Sequence, residues 1–519
     1  MTGTDFTYPR IATPTRSLVV VDLAADRIDG QVAACVLQGI VNRTSEVKIY
    51  VTNTWCFDNK GGGERQAQVS QRLLERLYAD IPAARLKGTD RDWPALMALV
   101  ERFRSFIKGL IVWDPRLEEA AIEAATTIAG QTDGLAVSPE LARALASFSF
   151  PIIADLRTHN FRTSLRCLEW LKENWFAGAN KHVAFTWSHM TTDGRSWGSA
   201  NKDFVVAHRL FTFFLDIRSQ DERVHYADVL KEYPPGTPVM GWTDEIWADE
   251  LFCRLGYFMV PCISVENLTV HSSFPSTSGT QPPPAAQPLH ENGVYIAFHI
   301  ADGDNLEHSL CYEPDTIMTS KSLGRVPTTW VINPGLVDLA PRVFDWYRTL
   351  PAGQELAAMM GDGHPGSDRY TGFRFYCDLA GLYLRRAGIL TLKQMAEAEA
   401  VAWNVRPYMI NSGYAGTDPR GVGPYEYHMD GDTFHIGSVY PKGDAEFIRN
   451  LVRTRPRRPH APQEPLFLNV FSGTASGDAP AAIEQMATAL KASEEADGVR
   501  YVFVRSMDLA ATYRRWVER

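Results

Sequence analysis

The seven cysteines, at positions 35, 56, 167, 253, 262, 311 and 377, are odd in number and include no C-x-x-C pair. Neither a disulfide framework nor a zinc knuckle is indicated, and they read as small core residues. No stretch reaches the roughly eighteen apolar residues of a membrane helix. The opening MTGTDFTYPRIATPTR also lacks the charged start and apolar run of a secretory signal. The expectation is therefore a soluble, cytoplasmic protein with no membrane partner. Like charge gathers only in the short RTRPRRPH run ending at His460, and the net charge is −9, which argues against a general nucleic-acid binder. Gly61-Gly62-Gly63 lacks the Lys-Ser/Thr of a phosphate loop and does not directly follow a strand, so it reads as a surface loop and no nucleotide cofactor is indicated. With no G-x-S-x-G elbow and no cysteine placed as a nucleophile, serine-hydrolase chemistry is disfavoured.

What is present is a globular chain of 519 residues with 45% hydrophobic content, too long for one ordinary core. Strand-like runs begin at Ser17, Lys48, Gly109, Gly134, Pro151 and His182, with helical patterns between most of them. This βα alternation predicts an α/β fold, with a parallel, Rossmann-like N-terminal region over residues 1–230. A second series predicts a (β/α) TIM-like barrel of seven or eight strands over 231–519. Its strands are expected at Val239–Trp242, Tyr257–Pro261, Val294–Ile300, Thr328–Ile332, Leu356–Met360, Arg406–Ile410, Leu466–Phe471 and Tyr501–Arg505. Residues 272–290, rich in Ser, Pro and Gln, read as a loop or tether. The long gap between Ile410 and Leu466 reads as an elaborated loop over the barrel mouth.

The richest chemistry lies in GVYIAFHIADGDNLEHS, Gly293 to Ser309. An apolar strand runs into Asp302, Asp304 and Asn305, with Glu307 and His308 just beyond, at the strand end where α/β proteins bind ligands. Asp302, Asp304 and Asn305 offer oxygen ligands to a divalent ion such as Ca²⁺, Mg²⁺ or Mn²⁺, and His308 would shift the preference toward Zn²⁺. The competing reading is a tight turn in which Asp304 or Asn305 caps the next helix. His299, inside the strand, is either a substrate ligand or a hydrogen-bonded core histidine.

Other strand ends supply further candidates. Asp362 and His364 follow the strand ending at Met360, as an acid–base pair or as a solvated glycine-rich turn. Glu245, after Trp242 and Asp244, is either a second catalytic carboxylate or a first-turn helix residue. Trp242, His299, His364, Asn333, Asn411 and Tyr414 are the candidate substrate contacts, since sugar rings stack on aromatics and asparagines donate to polar ligands. In HMDGDTFH, Asp-Gly hairpin composition explains the histidines more simply than metal binding does.

Five segments carry a resemblance: VLQGIVNR at 36–43, GWTDE at 241–245, ENLTVHSS at 266–273, DGDN at 302–305 and TTWVINPGLVDLAP at 328–341. Together, and in this order, they resemble the glycoside hydrolases named for their GxGYxYP motif. The resemblance implies an N-terminal α/β region, a C-terminal barrel related to the glycoside hydrolase and deacetylase barrels, and sugar processing. The naming motif itself is altered, because after Met360 the chain reads GDGHPGSDRY, without the two motif tyrosines at their spacing.

The resulting expectation is a hydrolase of a carbohydrate-like or other polar small molecule. Asp362 or Asp304 would give the proton, and Asp302 would serve as the opposing base or a metal ligand. A divalent-metal-dependent deacylase or lyase on the same barrel is the alternative, and a non-catalytic binding protein retaining the fold is a further one. Closure over the barrel and assembly into a homo-oligomer both remain open roles for the N-terminal region.

Overall fold

Three short parallel sheets, each fed by β-branched runs, build the first half of the chain in this computed structural model. It describes residues 6–54, 63–114, 120–187, 200–263, 265–361, 371–394, 407, 409–415, 427–455, 464–473 and 477–519. The first sheet holds β1 (Ser17–Asp22), β2 (Val47–Thr52) and β3 (Ala83–Arg85) in the order β2-β1-β3. The second holds β4 (Gly109–Val112), β5 (Gly134–Val137) and β6 (Ile152–Asp155) in the order β5-β4-β6. The third holds β7 (Asn180–Trp187), β8 (Leu210–Phe214), β9 (Pro238–Trp242) and β10 (Phe258–Pro261) in the order β10-β9-β7-β8. The expected βα alternation is there, divided among three sheets.

By its contacts the chain separates into one unit of Asp5–Ser276 with Asp338–Val343, and another of Thr277–Val337 with Phe344–Arg519. The expected boundary at 230/231 falls inside the first unit, ahead of β9.

Strand β2 is the edge of its sheet, and its outer backbone groups would be orphaned in the interior without partners. Two asparagine amides take the place of a neighbouring strand. Asn42 Oδ1 accepts from Ile49 N–H at 2.7 Å while its Nδ2 donates to Ile49 O at 3.0 Å. Asn267 treats Val51 in the same way, at 2.8 and 2.9 Å. Gln38 Nε2 then donates to Asn267 Oδ1 at 2.8 Å, and Asn42 Nδ2 to Thr269 Oγ1 at 2.9 Å. The VLQGIVNR and ENLTVHSS segments are thus bound to each other through the edge of β2.

In the second unit β11 (Gly293–Ile300), β12 (Thr328–Ile332), β13 (Gln354–Ala358), β14 (Thr391–Gln394), β15 (Met409–Ala415), β16 (Tyr427–Asp430), β17 (Thr433–Val439), β18 (Leu466–Phe471) and β19 (Arg500–Val504) form one sheet. Seven of them close a parallel barrel in the order β11-β12-β13-β14-β15-β17-β18 and back to β11. On one edge of β11 the first half pairs with β19 and the second half with β12; the other edge pairs with β18. Every residue of β11 is buried as a result.

Two strands expected in the barrel, those at Val239 and Tyr257, pair instead within the third sheet of the first unit. Their places are taken by β14 and β17. The segment between Ile410 and Leu466 is also more than a loop, since it holds β16, β17 and the helix Ala445–Thr454. The hairpin reading of HMDGDTFH holds. Asp430 pairs with Thr433 across a two-residue turn in which Gly431 has φ +55°, and the His428 and His435 rings stack with centroids 4.8 Å apart.

The Ser/Pro-rich stretch has neither helix nor strand beyond Phe274, yet it is stapled along the barrel unit. Gln281 Nε2 donates to Leu356 O at 2.6 Å, Ala285 N–H to Asp508 Oδ1 at 2.8 Å, and Gln287 N–H to Thr512 Oγ1 at 3.0 Å. Its backbone passes so near Gly388, at φ +64°, that a Cβ there would lie 1.8 Å from Gly279 O, so only glycine fits. Inside the barrel, Tyr295, Ala297, Met409, Phe434, Ile436 and Phe467 pack against the helix Ser506–Val517.

Candidate active site at the barrel mouth

The chain leaves β11 at Ile300 and turns through Asp302 to Asp304 into one continuous helical run of three parts. These are Asn305–Glu307, a π-helical turn at His308–Tyr312, and Glu313–Thr319. Pro314 supplies the reason for the wide turn. It has no N–H for the Leu310 carbonyl, and in a regular α-helix its ring would strike that carbonyl. The spiral opens instead, and Glu313 N–H bonds to His308 O, five residues back.

The run returns His308 to the start of the turn. Its Nε2 lies 2.9 Å from Asp302 Oδ2, with the histidine side chain 4% exposed and the aspartate 26%, so Asp302 is the member that solvent reaches. Burial opposes charge on both partners, but their mutual attraction outweighs it. The Asp302 carboxyl is held below the usual range, helped by the Asp304 and Gly303 N–H groups. The His308 imidazole is held above its usual value, helped by Glu313 and Glu307.

Glu313 behaves oppositely. Full burial pushes its carboxyl up to about 8, against the lowering influence of His308 and Tyr347. The Tyr347 hydroxyl lies 2.9 Å from Ser309 O and 3.0 Å from Glu313 Oε2. The hydroxyl is placed to donate to either oxygen, so its single proton is shared between the Ser309 carbonyl and the Glu313 carboxyl.

A second polar group occupies the barrel lumen, contributed by β11, β14, β17 and β18. Ser438 Oγ accepts from Lys393 Nζ at 3.0 Å and from Asn469 Nδ2 at 3.0 Å. Burial lowers the Lys393 ammonium to about 7. His299 stays neutral, because burial and the nearby Lys393 outweigh the small favourable effect of Asn469. Neither of its ring nitrogens has a hydrogen bond of ordinary geometry among the described residues. Its ring packs against Phe471, centroids 5.5 Å apart. Deeper in the barrel, burial pushes the Glu355 carboxyl up to about 7 while it accepts from Thr391 Oγ1 and Met507 N–H.

His299 stands one residue before the carboxyl end of β11, Asp302, Asp304, Asn305 and His308 follow that end, and Asn333 follows the end of β12. Asp304 holds the cap position of the helical run, but its side chain makes no capping bond, and its backbone O accepts from His308 N–H at 2.8 Å. Asn305 is buried, with Nδ2 donating to Val331 O at 3.0 Å. Asn333 shapes its own turn, its Oδ1 accepting from Gly335 N–H at 2.8 Å.

Trp242 ends β9, a strand of the third sheet of the first unit and not of the barrel sheet. Glu245 opens the helix Glu245–Leu255, capped by Asp244, whose Oδ1 accepts from Trp247 N–H at 3.4 Å, as the helix-start reading has it. The Glu245 side chain, the Asn411 and Tyr414 side chains on β15, and all of Asp362 and His364 lie outside the described residues. Glu313, Tyr347, Lys393 and Ser438 are additions that sequence reasoning missed. Only Glu313 carried a signal, the proline after it inside a helical pattern.

Among the described residues no three His, Cys, Asp or Glu side chains are grouped to hold a metal ion. Two of the expected ligands, Asp302 and His308, bind each other. A cation at Asp302 would have to compete with the imidazole for Oδ2, leaving Asn305 Oδ1 as a buried oxygen without a hydrogen-bond partner among the described residues.

A closed parallel barrel with an ionised Asp–His pair where a strand meets its helix defines an α/β-barrel protein with a titratable mouth. Three domain profiles of one family match it in chain order. They are the GxGYxYP_N second domain over residues 107–179, the GxGYxYP third domain over 187–273, and the GxGYxYP putative glycoside hydrolase C-terminal domain over 292–416. The chain belongs to the GxGYxYP family. A crystal structure of a putative hydrolase from Bacteroides thetaiotaomicron VPI-5482 shares the fold. It is 19% identical, with a TM-score of 0.77 over 98% of this chain and 97% of that one. No curated protein matches the chain.

Proposed function

We propose that the chain is a hydrolase of carbohydrate-like or other polar small molecules, acting at the mouth of the barrel. One observation carries this reading: Asp302 and Glu313, on one short segment, are driven apart in protonation, the first ionised and the second protonated. Glycosidic hydrolysis needs one carboxylic acid to protonate the leaving oxygen and one carboxylate to act as base or nucleophile. Carboxyl groups whose environments separate their pKa values suit those two parts. In this scheme Asp302 is the carboxylate, and His308 keeps it charged. The proton comes from Glu313, or from Asp304 or Asp362 as the sequence first suggested. The family name and the barrel support the same reaction class.

The test is incubation of the purified protein with aryl glycosides and oligosaccharides, with products separated by chromatography. Release of sugar is expected, and Asp302→Asn is expected to lower kcat about 100-fold or more with thermal unfolding unchanged. Undiminished turnover by a well-folded Asp302→Asn protein would remove Asp302 from the chemistry.

Divalent-metal-dependent deacylation is the second reading, favoured by Asn305 Oδ1, a buried oxygen of the type hard cations take. Activity lost to a chelator and restored by one divalent ion would select it. Full activity in protein shown to be metal-free would sink it.

A further inference from the structure

The tight turn in HMDGDTFH accounts for Asp430 and Gly431, but not for the two histidines that face each other beside it. Strand β16 lies off the barrel path and is joined to it through β17. Its Tyr427 and Met429 pack against the core cluster that includes Phe434 and Ile436. Side chains alternate along a strand, so His428 and Asp430 take the opposite face, where both are exposed. His435, the register partner of His428, shares that face. The two rings are nearly parallel, 8° apart with centroids at 4.8 Å. His435 is the third residue of β17, so the pair stands toward the amino ends of the parallel strands, the end opposite the barrel mouth.

Stacking alone does not explain the pair. His435 is 6% exposed, and its Nε2 has no hydrogen-bond partner among the described residues, a cost that an apolar ring at this place would not carry. Burial, and after it the neighbouring His428, hold the His435 imidazole below its usual value, against the raising influence of Asp430. His435 is therefore neutral at pH 7, and neutral imidazole is the form that binds metal ions. The way in is short. His428 is exposed and its ring stacks on that of His435, so the second imidazole lies one ring below the solvent.

We propose that His428 and His435 together bind one divalent cation of the Zn²⁺, Ni²⁺ or Cu²⁺ class, at a site separate from the barrel mouth and independent of the hydrolase reading. Imidazole suits these ions, whereas Ca²⁺ and Mg²⁺ take oxygen ligands. A swing of the exposed His428 side chain brings one of its nitrogens and His435 Nε2 to a common ion at about 2.0–2.1 Å each, with water filling the other positions. Asp430, on the same face, supplies negative charge near the ion without being a third ligand, in keeping with the lack of any three-residue group among the described residues. An ion held in this way ties β16 to β17 and stabilises the folded chain by mass action.

Calorimetric titration of the metal-stripped full chain with Zn²⁺, and separately with Mg²⁺, tests this at about pH 7.5, where unperturbed histidine is neutral. Wild type is expected to bind Zn²⁺ with a Kd below about 100 µM. His428→Phe keeps a ring for the stack but offers no nitrogen, and it is expected to weaken the zinc event about tenfold or more while leaving the metal-free thermal midpoint unchanged. With Mg²⁺ wild type and variant should not differ. Should phenylalanine disturb the fold, His428→Ala at the same exposed position carries the comparison. Zinc bound equally by wild type and both variants marks adventitious ions at other histidines and overturns the inference. A difference that Mg²⁺ reproduces does so too, because charge and not imidazole ligation would then be at work. A wild type that unfolds normally yet takes up no zinc at about 1 mM leaves the two rings as a cross-strand packing contact and the inference without support.

Discussion

Glu313 and Tyr347 meet at 3.0 Å in a fully buried site, where burial outweighs the lowering influence of His308 and of the tyrosine hydroxyl and keeps the carboxyl protonated. Glu313 therefore binds a proton in the folded protein that the unfolded chain releases near the ordinary glutamate value of 4.5. Between about 4.5 and about 8 the native state holds more protons than the unfolded state. Its contribution consequently falls as pH rises, by at most about 1.4 kcal/mol per unit. Glu313→Gln keeps a donor without titrating. Urea midpoints measured from acid to alkaline pH should show wild type losing ground to the variant across that window, and parallel profiles would show that Glu313 is ionised.

The Asp302–His308 pair has the opposite signs on its two sides. Asp302, depressed below 3.8, contributes stability above its unfolded value and loses it as pH falls through the folded one. His308, raised above 6.5, contributes fully below its unfolded value and loses it as pH climbs through the folded one. The pair is thus strongest between about pH 4 and 6.5. Asp302→Asn leaves the imidazole buried without its anion, so its pKa should drop below the ordinary histidine range. Proton NMR titration of the histidine ring signals reads this directly, and an unmoved His308 would mean that the pair does not form in solution.

Where one residue type and one period marked an element, the sequence was sufficient. β11, β12 and β18 are mostly apolar runs, each broken by one polar type at most (His299, the threonines and Asn469), and the Asp302–Asn305 turn follows β11 as expected. β14 and β17 escaped because Lys393 interrupts the first and His435 and Ser438 the second, so neither shows the unbroken apolar run of a buried parallel strand. The strands at Val239 and Tyr257 were assigned to the barrel because a strand followed by Asp or Asn looks the same in any parallel sheet. Which sheet it joins depends on long-range pairing that local pattern does not contain. The Asp302–His308 contact was hidden for a related reason: a spacing of six suits neither face of an α-helix, and the reversed turn and π-helical widening were needed to close it.

Asn267 tests whether the family segments of the first unit are structural. Asn267→Ala would leave both backbone groups of Val51 and the Gln38 amide without their partner in a buried site. Each unmet group costs about 1–3 kcal/mol, so a total loss of about 3 kcal/mol is expected, visible as an earlier urea transition. A change below about 0.5 kcal/mol, the range of ordinary surface substitutions, would mean that water or a shifted neighbour satisfies the strand edge.

His299 offers a case in which stability and function should move in opposite directions. A buried imidazole with neither nitrogen bonded among the described residues carries a desolvation cost that an apolar side chain of similar size does not. His299→Leu should therefore raise the thermal midpoint, by the equivalent of about 1 kcal/mol, while weakening the binding of substrate at the barrel mouth. Destabilised sites of this kind persist where binding needs them. If the leucine variant is less stable than wild type, the imidazole has partners within the folded chain, and His299 is a core histidine rather than a ligand-facing one.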